Sequence, residues 1–345
     1  MISCVNLTRY FSQFVAVDRL SFELPQGSVL ALVGENGAGK STTMRMLTTL
    51  LSPSRGEARV GGYDIVKQTQ SVRRVIGYLP ETFPLYEDMP VERYLHFFAL
   101  AYQLDHDTAR NRIIDFLDRL GLKHKRHDRI VQLSRGMKQR LGVAKSFLHD
   151  PDIVFLDEPA SGLDPTARAE LRDFLKYQQQ LGKTIVVSSH VLKELADFCD
   201  HILIMSKGRL VEFGPLSGAE GVMAKYSGQA QAGRRFTVRL PKGAAQLEEK
   251  LKTWNDCANV TRRDHIVHFE MPGDDEASAA MLTRIVQAGF AVAQFSPEEI
   301  DLEAVYRRAN QNPVANAQDS PEIPAEPVPA ENNVDPPPQT PEGVA

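Results

Sequence analysis

The sequence predicts an α/β fold with a mixed β-sheet and an inserted helical lobe, followed by a small ferredoxin-like α+β domain and a disordered tail. Up to Pro215, short β-branched runs alternate with helical patterns, which is typical of α/β sheets. Between residues 235 and 310 the pattern reads β-α-β-β-α-β. The last 35 residues contain nine prolines and few large apolar side chains.

Five apolar runs are the candidate strands of the first domain, residues 1–215. They are Val29–Gly34, Val75–Pro80, Ile153–Asp157, Thr184–Ser189 and His201–Ser206. Their nearly continuous apolar character is typical of strands that are buried on both faces. From Val91 to Arg129 the pattern is helical and contains no clear strand, so we expect a helical lobe over about residues 82–150.

The second domain, residues 235–310, is predicted from shorter patterns. Its candidate strands are Phe236–Leu240, a weak run near Val260, His265–Met271 and Phe290–Phe295, and its candidate helices are Ala244–Trp254 and Ala277–Gly289. A linker rich in Gly and Ala, residues 216–234, precedes it. Residues 311–345 cannot bury enough apolar surface to offset the entropy of ordering, and we expect them to be disordered.

Composition excludes some classes of function. The formal net charge is −4, but the tail carries six acidic residues and no Lys or Arg, so the rest is close to neutral and we expect no nucleic-acid partner. Three cysteines without C-x-x-C spacing favour a reduced, cytosolic setting. The densest apolar stretch, Phe97–Tyr102, is far shorter than the roughly 20 residues of a membrane helix, so any membrane role is expected to be peripheral.

The stretch GENGAGKS, Gly34–Ser41, matches the phosphate-binding P-loop pattern G-x-x-x-x-G-K-[ST]. A buried strand precedes it and a helix follows, so backbone N–H groups and the helix N-terminus can both face a phosphate. We therefore expect a P-loop NTPase in which Lys40 reaches the β- and γ-phosphates and Ser41 ligates Mg²⁺. The predicted ATP-binding residues of this loop are Gly34, Glu35, Asn36, Gly37, Ala38, Gly39, Lys40, Ser41 and Thr42.

Two acidic residues end a second buried strand. Asp157 and Glu158 follow the run IVFL, at the strand end where ligands bind in open α/β sheets. We expect Asp157 to hold Mg²⁺ through water and Glu158 to orient and polarise the attacking water. By themselves, paired acids could equally be a solvated strand end, and it is the P-loop that favours the functional interpretation.

The stretch LSRGMKQR, Leu133–Arg140, precedes a helical pattern and offers another helix N-terminus to an anion. If the helical lobe separates this helix N-terminus from the P-loop of the same chain, the helix N-terminus binds a nucleotide held by a second subunit. With these motifs in this order, the chain from Ile2 to about Pro215 resembles the nucleotide-binding subunit of an ATP-binding cassette (ABC) transporter.

The resemblance implies roles for further residues. Ser134 and Gly136 of the signature motif are expected to touch the γ-phosphate of the opposite subunit. Asp164 ends SGLD, which matches the D-loop, and His190 matches the switch histidine that contacts the γ-phosphate. Phe11 aligns with the aromatic residue that stacks on adenine, with Tyr10 as the alternative.

Two departures from the family pattern stand out. The common signature L-S-G-G-Q is altered here by Arg135 and Met137. Glu81 replaces the usual Gln of the loop after the second candidate strand, where it can still accept from water and approach Mg²⁺ but adds negative charge beside the phosphates. We count it among the expected catalytic and metal-binding residues. The run YLPE and the residues after it resemble the ABC-2-type export branch.

Two of these features also have a simple structural explanation. His190, taken alone, is more simply explained as a helix cap. The basic run KHKRHDR, Lys123–Arg129, invites a metal or nucleic-acid site, but it lacks carboxylate or Cys partners, and a solvated basic face near anionic lipid or a partner loop is favoured.

The resemblance implies an ATPase that forms a homodimer, or a heterodimer, around two ATP and Mg²⁺. It also implies a separate polytopic permease subunit and a peripheral location at the cytoplasmic face of the inner (plasma) membrane. Two alternatives remain at this point. One is a soluble ABC ATPase that acts on ribosomes or DNA, and the other is a regulatory subunit that binds ATP without transport.

Overall fold

The computed structural model describes residues 1–12, 14–189, 198–217, 221–222, 234–272, 275–297 and 305–306. The strands are β1 (Ile2–Phe11), β2 (Phe14–Leu24), β3 (Val29–Val33), β4 (Arg55–Val60), β5 (Tyr63–Asp64), β6 (Ile76–Leu79), β7 (Ile153–Asp157), β8 (Thr184–Ser189), β9 (His201–Ser206), β10 (Arg209–Pro215), β11 (Arg234–Arg239), β12 (Ala258–Arg263), β13 (Ile266–Met271) and β14 (Gln294–Pro297). The helices are α1 (Lys40–Leu47), α2 (Thr69–Val75), α3 (Val91–Ala101), α4 (His106–Arg119), α5 (Arg135–Phe147), α6 (Pro165–Gln180), α7 (Ala244–Lys252) and α8 (Asp275–Gln287).

A six-stranded sheet in the order β10-β9-β3-β8-β7-β6 forms the centre of the first domain. Neighbouring strands from β9 to β6 are parallel, whereas β10 pairs with β9 in antiparallel fashion, so the predicted mixed sheet is confirmed. The side chains of β3, β7 and β8 are buried throughout, as their continuous apolar runs predict. The carboxyl ends of these three strands therefore meet at one edge of the sheet.

A second, antiparallel sheet in the order β2-β1-β4-β5 was not predicted. The pairing of β1 with β2 shifts register three times, and Asn6 and Arg19 have positive φ angles of 49° and 48°. These bulges interrupt the alternation of apolar and polar side chains by which a half-buried strand is recognised. The two sheets bury a shared core that includes Leu7, Leu32 and Phe155.

The helical lobe contains α3, α4 and α5, and the whole stretch from 82 to 150 is described without a strand. Asp105 caps the start of α4, where its carboxylate accepts the backbone N–H of Thr108 at 2.9 Å. Buried side chains such as Leu95 and Ile113 continue into the core on one face of the central sheet, so the lobe and the sheet share one core.

The C-terminal sheet has the order β12-β13-β11-β14, with every pair antiparallel. The first and third strands of the unit are therefore central, as in the predicted ferredoxin-like arrangement. The helices α7 and α8 cover it through a core that contains Leu247, Phe269 and Ile285. The closing strand begins at Gln294, four residues later than predicted, because pairing with β11 starts at Gln294 opposite Arg239.

The chain is buried in the ATPase core both before and after the C-terminal unit. Leu216, Val222 and Val305 belong to the same core cluster as the helical lobe, and Val305 is fully buried. The predicted linker lies largely, and the predicted tail wholly, outside the described residues, so the domain boundaries stay predictions. Among the described helices, none has the length and apolar character needed to cross a membrane.

Candidate nucleotide-binding site

A cleft of about 460 Å³ lies at the carboxyl ends of the central strands. It collects most of the predicted site residues and three that were not predicted, Phe14, Ala16 and Ser161. Its lining consists of Phe11, Phe14, Ala16, Glu35, Asn36, Gly37, Ala38, Gly39, Lys40, Ser41, Thr42, Glu81, Asp157, Glu158 and Ser161. A volume of this size falls in the range of small-molecule sites.

Two glycines of the P-loop have no room for a side chain. Gly39, which precedes α1, has φ of 102°, and a Cβ there would lie 2.7 Å from the carbonyl oxygen of Ala16. A Cβ on Gly34 would lie 2.5 Å from the carbonyl oxygen of Met205. The glycine spacing is therefore required by the way the loop packs against β2 and β9, as well as by close approach to a phosphate.

Lys40 is a buried cation with no ion-pair partner among the described residues. Its side chain is only 7% exposed, and Nζ donates to the carbonyl oxygens of Gly34 at 2.6 Å and Glu35 at 3.3 Å. No carboxylate forms an ion pair with it in the part of the chain that the structure describes. Since buried charges in proteins are normally paired, the cleft suits an anionic ligand such as a triphosphate.

The two acids at the end of β7 are held by one hydroxyl. Ser188 Oγ donates to Asp157 Oδ1 at 2.5 Å and accepts the backbone N–H of Glu158 at 2.9 Å. Asp157 is 2% exposed, and Glu158 adopts a left-handed conformation with φ of 50°. Ser188 is the residue before the last in the neighbouring strand β8, and its role could be found only once Asp157 and Ser188 were known to pair across the sheet.

The oxygen atoms in the cleft suit Mg²⁺. Ser41 and Asp157 offer a hydroxyl and a carboxylate, and Glu81 offers a further carboxylate on the same wall. Mg²⁺ is typically held by one or two carboxylates together with water and substrate phosphates rather than by a complete protein cage. Accordingly, the described residues contain no group of three or more His, Cys, Asp or Glu side chains arranged for a metal.

Four of the described residues that were predicted do not line the cleft: Gly34, which packs against β9, and three residues at helix starts. Ser134 caps α5, where its hydroxyl accepts the N–H of Met137 at 3.3 Å, and Gly136 follows in the first turn. Asp164 caps α6 by accepting the N–H of Ala167 at 2.9 Å, and this hydrogen bond lowers the pKa of Asp164. His190 lies outside the described residues.

Aromatic side chains form the outer wall of the cleft. Phe11 is 43% exposed, and the Arg9 guanidinium lies 4.7 Å from its ring centroid. Phe14 pairs with Phe11 across β1 and β2 and is 62% exposed, so two rings are available to a planar base. Tyr10, the sequence alternative, does not line the cleft. Phe14 could not be chosen from the sequence because the hairpin itself was missed.

The basic run Lys123–Arg129 is bound within the lobe by ion pairs. Arg126 contacts Glu92 at 3.1 Å, Lys125 contacts Asp128 at 2.6 Å, and Lys123 contacts Asp118. These pairs join the loop to α3 and α4, so the run has a structural explanation.

A second concavity, of about 950 Å³, lies on the helical lobe, and we call it the lobe groove. Its lining is Tyr86, Glu87, Asp88, Met89, Pro90, Arg93, His96, Phe97, Ala99, Leu100, Leu104, His106 and Ala109. Leu100 is 73% exposed and Phe97 46% exposed. At the rim, Lys138 Nζ from α5 donates to Glu87 Oε1 at 2.6 Å, so the groove touches the helix that follows the signature motif.

Comparison with known proteins decides the family. Residues 17–161 match the family model described as ABC transporter. YxlF of Bacillus subtilis, an uncharacterized ABC transporter ATP-binding protein, is 33% identical over 311 residues, which cover 89% of this chain and 98% of YxlF. The chain belongs to the family of ABC transporter ATP-binding proteins. Because 311 residues exceed the first domain, the likeness to YxlF includes the C-terminal unit.

Two further relatives agree with this membership. YbhF of Escherichia coli, a probable multidrug ABC transporter ATP-binding protein, is 37% identical over 214 residues, 62% of this chain, and the chain spans 37% of the length of YbhF. A solved structure of an ATP-binding subunit of an ABC transporter superposes with a TM-score of 0.60 and 30% identity, covering 66% of this chain and 93% of that one. The predicted family and fold class are confirmed by these likenesses, and the relatives are described as ATP-binding proteins.

Proposed function

We propose that this ABC protein is an ATP-hydrolysing subunit that dimerises around two ATP molecules and drives conformational change in separate membrane permease subunits, in the direction of export. The observation that carries this proposal is the cleft, in which P-loop, buried lysine, paired acids and exposed aromatic rings meet. Export follows from the resemblance to the ABC-2 branch and from the printed description of YbhF as a probable multidrug protein.

Each group in the cleft has a proposed part in hydrolysis. Phe11 stacks on adenine, the P-loop N–H groups and Lys40 bind the phosphates, and Ser41 and Asp157 hold Mg²⁺ with Glu81 nearby. Bound Mg²⁺ neutralises charge that develops on the phosphate oxygens. Glu158 accepts a proton from the attacking water, and its fixed backbone aims the carboxylate. His190, which lies outside the described residues, is proposed to contact the γ-phosphate.

The signature motif supports the dimer. Ser134 and Gly136 begin α5 and do not line the cleft of their own chain. A capped helix start with free N–H groups attracts an anion. We propose that it closes over the cleft of a second copy, so that each ATP lies between the P-loop of one subunit and the signature motif of the other.

The lobe groove is the proposed docking site for a cytoplasmic helix of a polytopic permease. Its exposed Phe97 and Leu100 provide apolar anchors, and Glu87 and Arg93 provide charges at the edge. Attachment through this groove places the protein on the cytoplasmic face of the plasma membrane as a peripheral subunit.

Affinity capture tests this proposal. Tagged Glu158→Gln protein, which binds ATP but hydrolyses it slowly, is isolated from native membranes with ATP, and its companions are identified by mass spectrometry. We expect a polytopic permease, and we expect it to be depleted in the matched control Leu100→Glu, which alters the proposed docking groove. Ribosomal proteins or DNA-bound factors instead of a permease would transfer the same ATP chemistry to the soluble alternative.

A further inference from the structure

The signature helix α5 lies directly against the turn that carries the proposed catalytic glutamate of the same chain. The stem of Arg135 covers Gly162, where an added Cβ would lie 3.3 Å from Arg135 Nε. A Cβ added to Gly136 would meet Leu163 Cδ2 at 3.1 Å. Two successive residues of the signature motif are thus packed on the turn that leads away from Glu158.

One turn further along α5, a side chain reaches the backbone of the glutamate itself. Gln139 Nε2 donates to the carbonyl oxygen of Glu158 at 3.3 Å, and Gln139 is only 8% exposed. The same carbonyl oxygen also accepts the N–H of Ser161 at 3.1 Å. Both lone pairs of this oxygen are therefore used, one by the turn and one by the signature helix.

Glu158 needs such support because its backbone is in a sterically unfavourable region. Its φ of 50° is uncommon for a residue with a side chain, and such conformations persist only where surrounding groups hold them. The hydroxyl of Ser188 accepts the N–H of Glu158, and the side chain of Gln139 donates to the carbonyl oxygen of Glu158. These two hydrogen bonds tie the backbone on both sides of the Glu158 side chain to β8 and to α5.

We propose that Gln139 is a positioning residue that orients Glu158 of its own subunit, so that α5 links the nucleotide of the neighbouring subunit to hydrolysis in its own cleft. This inference rests on the function proposed above. In the proposed dimer the N-terminus of α5 faces the ATP of the neighbour, and one helical turn away, about 5.4 Å along the axis, Gln139 contacts Glu158. A shift of this rigid helix on ATP contact moves the Glu158 peptide with it.

The variant Gln139→Met separates positioning from folding. Methionine has a similar length but no hydrogen-bond donor, and volume-conserving exchanges are tolerated best in packed sites. Because Ser161 still donates to the Glu158 carbonyl, no buried acceptor is left unpaired. Loss of one hydrogen bond predicts a roughly 3- to 10-fold lower kcat, with KM for ATP and Tm close to wild type. Gln139→Glu, which sets a carboxylate against the carbonyl oxygen, should lower kcat further.

Mixed dimers of the full-length chain test which site Gln139 serves. One copy carries Glu158→Gln, so hydrolysis occurs only in the cleft of the other copy, and Gln139→Met is placed in either copy. The inference predicts a larger loss when Gln139→Met is on the chain with the intact Glu158. Ser134→Ala, the matched control, should show the opposite order, since it acts on the cleft of its neighbour.

Equal losses in both arrangements, a larger loss on the opposite chain, or no loss in either arrangement would overturn the inference. The parent mixed dimer, without a change at position 139, must first hydrolyse ATP at a measurable rate that Lys40→Ala abolishes. Failure of that first measurement contradicts the proposed function itself, so the two failures are distinguishable.

Discussion

The cleft and the lobe groove are built in different ways. In the cleft, the functional side chains are held on a backbone with positive φ angles at Gly37, Gly39 and Glu158. In the groove, the exposed surface comes from apolar side chains of regular helices, chiefly Phe97 and Leu100. A site that depends on backbone positions with positive φ angles tolerates few substitutions at those positions. A surface of exposed side chains can change its partner by exchanging residues.

The largest effect is expected in the cleft. Glu158→Gln keeps the size of the side chain but removes the group that accepts a proton, so kcat should fall by about 10²–10⁴-fold with ATP binding retained. Steady-state ATPase rates and nucleotide titration measure the two quantities. The control Glu57→Gln changes an exposed glutamate on β4 and should leave both unchanged. An unaffected kcat in Glu158→Gln would remove Glu158 from its assigned role.

The groove gives the next effect. Leu100→Glu places a carboxylate in the apolar centre of the proposed docking site and should weaken permease binding about 30-fold or more, the scale of a hot-spot loss. Basal ATPase of the isolated subunit should not change, because the cleft is untouched. Leu181→Glu, at an exposed leucine outside the groove, is the control. Equal permease binding by the two variants would place docking elsewhere.

Between the two regions, Arg140 joins the lobe to α6. It forms an ion pair with Glu170 and donates to the carbonyl oxygen of Leu120 at 2.7 Å, while only 7% exposed. Arg140→Met should lower the free energy of unfolding by about 1.5–3 kcal/mol, the range for a hydrogen bond to a charged group. Urea unfolding measures this change. The control Lys123→Met removes only the exposed ion pair with Asp118, and should change the free energy of unfolding by less than about 1 kcal/mol.

The smallest expected effect is a dependence of stability on pH that comes from His149. His149 stacks on Tyr102 at 4.0 Å, and Nε2 donates to the Ile76 carbonyl oxygen at 2.9 Å. Its Nδ1 is buried with no partner among the described residues, and burial lowers the pKa of His149 despite the opposing Ile76 carbonyl.

The unfolded chain therefore takes up a proton at a higher pH than the folded protein does. Stability should decrease as pH falls through the ordinary histidine range, near 6.5, and His149→Gln should reduce this dependence. Urea unfolding of both proteins at pH 7.5 and pH 5.5 measures the difference. An identical pH dependence in the variant would show that other groups cause it.

The sequence was sufficient to predict the strands and loops that bear dense local patterns. The P-loop and the run IVFLDE carry their chemistry within a few residues, so their place at the strand ends followed directly. Phe14 and Ser188 carry no such local signal, because Phe14 acquires its place across a hairpin and Ser188 through a partner far away in the chain.

The exposed side chains of the lobe groove could not be chosen from the sequence. FFALAY, Phe97–Tyr102, is a dense apolar run, but the sequence alone does not say which of its side chains are exposed. In the structure Ala99 is buried and Leu100 is 73% exposed, although they are neighbours on α3. Helical periodicity assigns faces, and only the packing of α4 and α5 decides which face is left open.

The burial of Leu216, Val222 and Val305 in one core means that the C-terminal unit is attached to the ATPase like an inserted loop, held at both ends. A truncation at residue 216 would strip Val305 from that core as well as deleting the sheet. The activity of such a shortened protein would reflect the lost packing as well as any lost regulation. Replacing 235–297 by a short flexible bridge, with Val305 retained, isolates what the unit itself contributes.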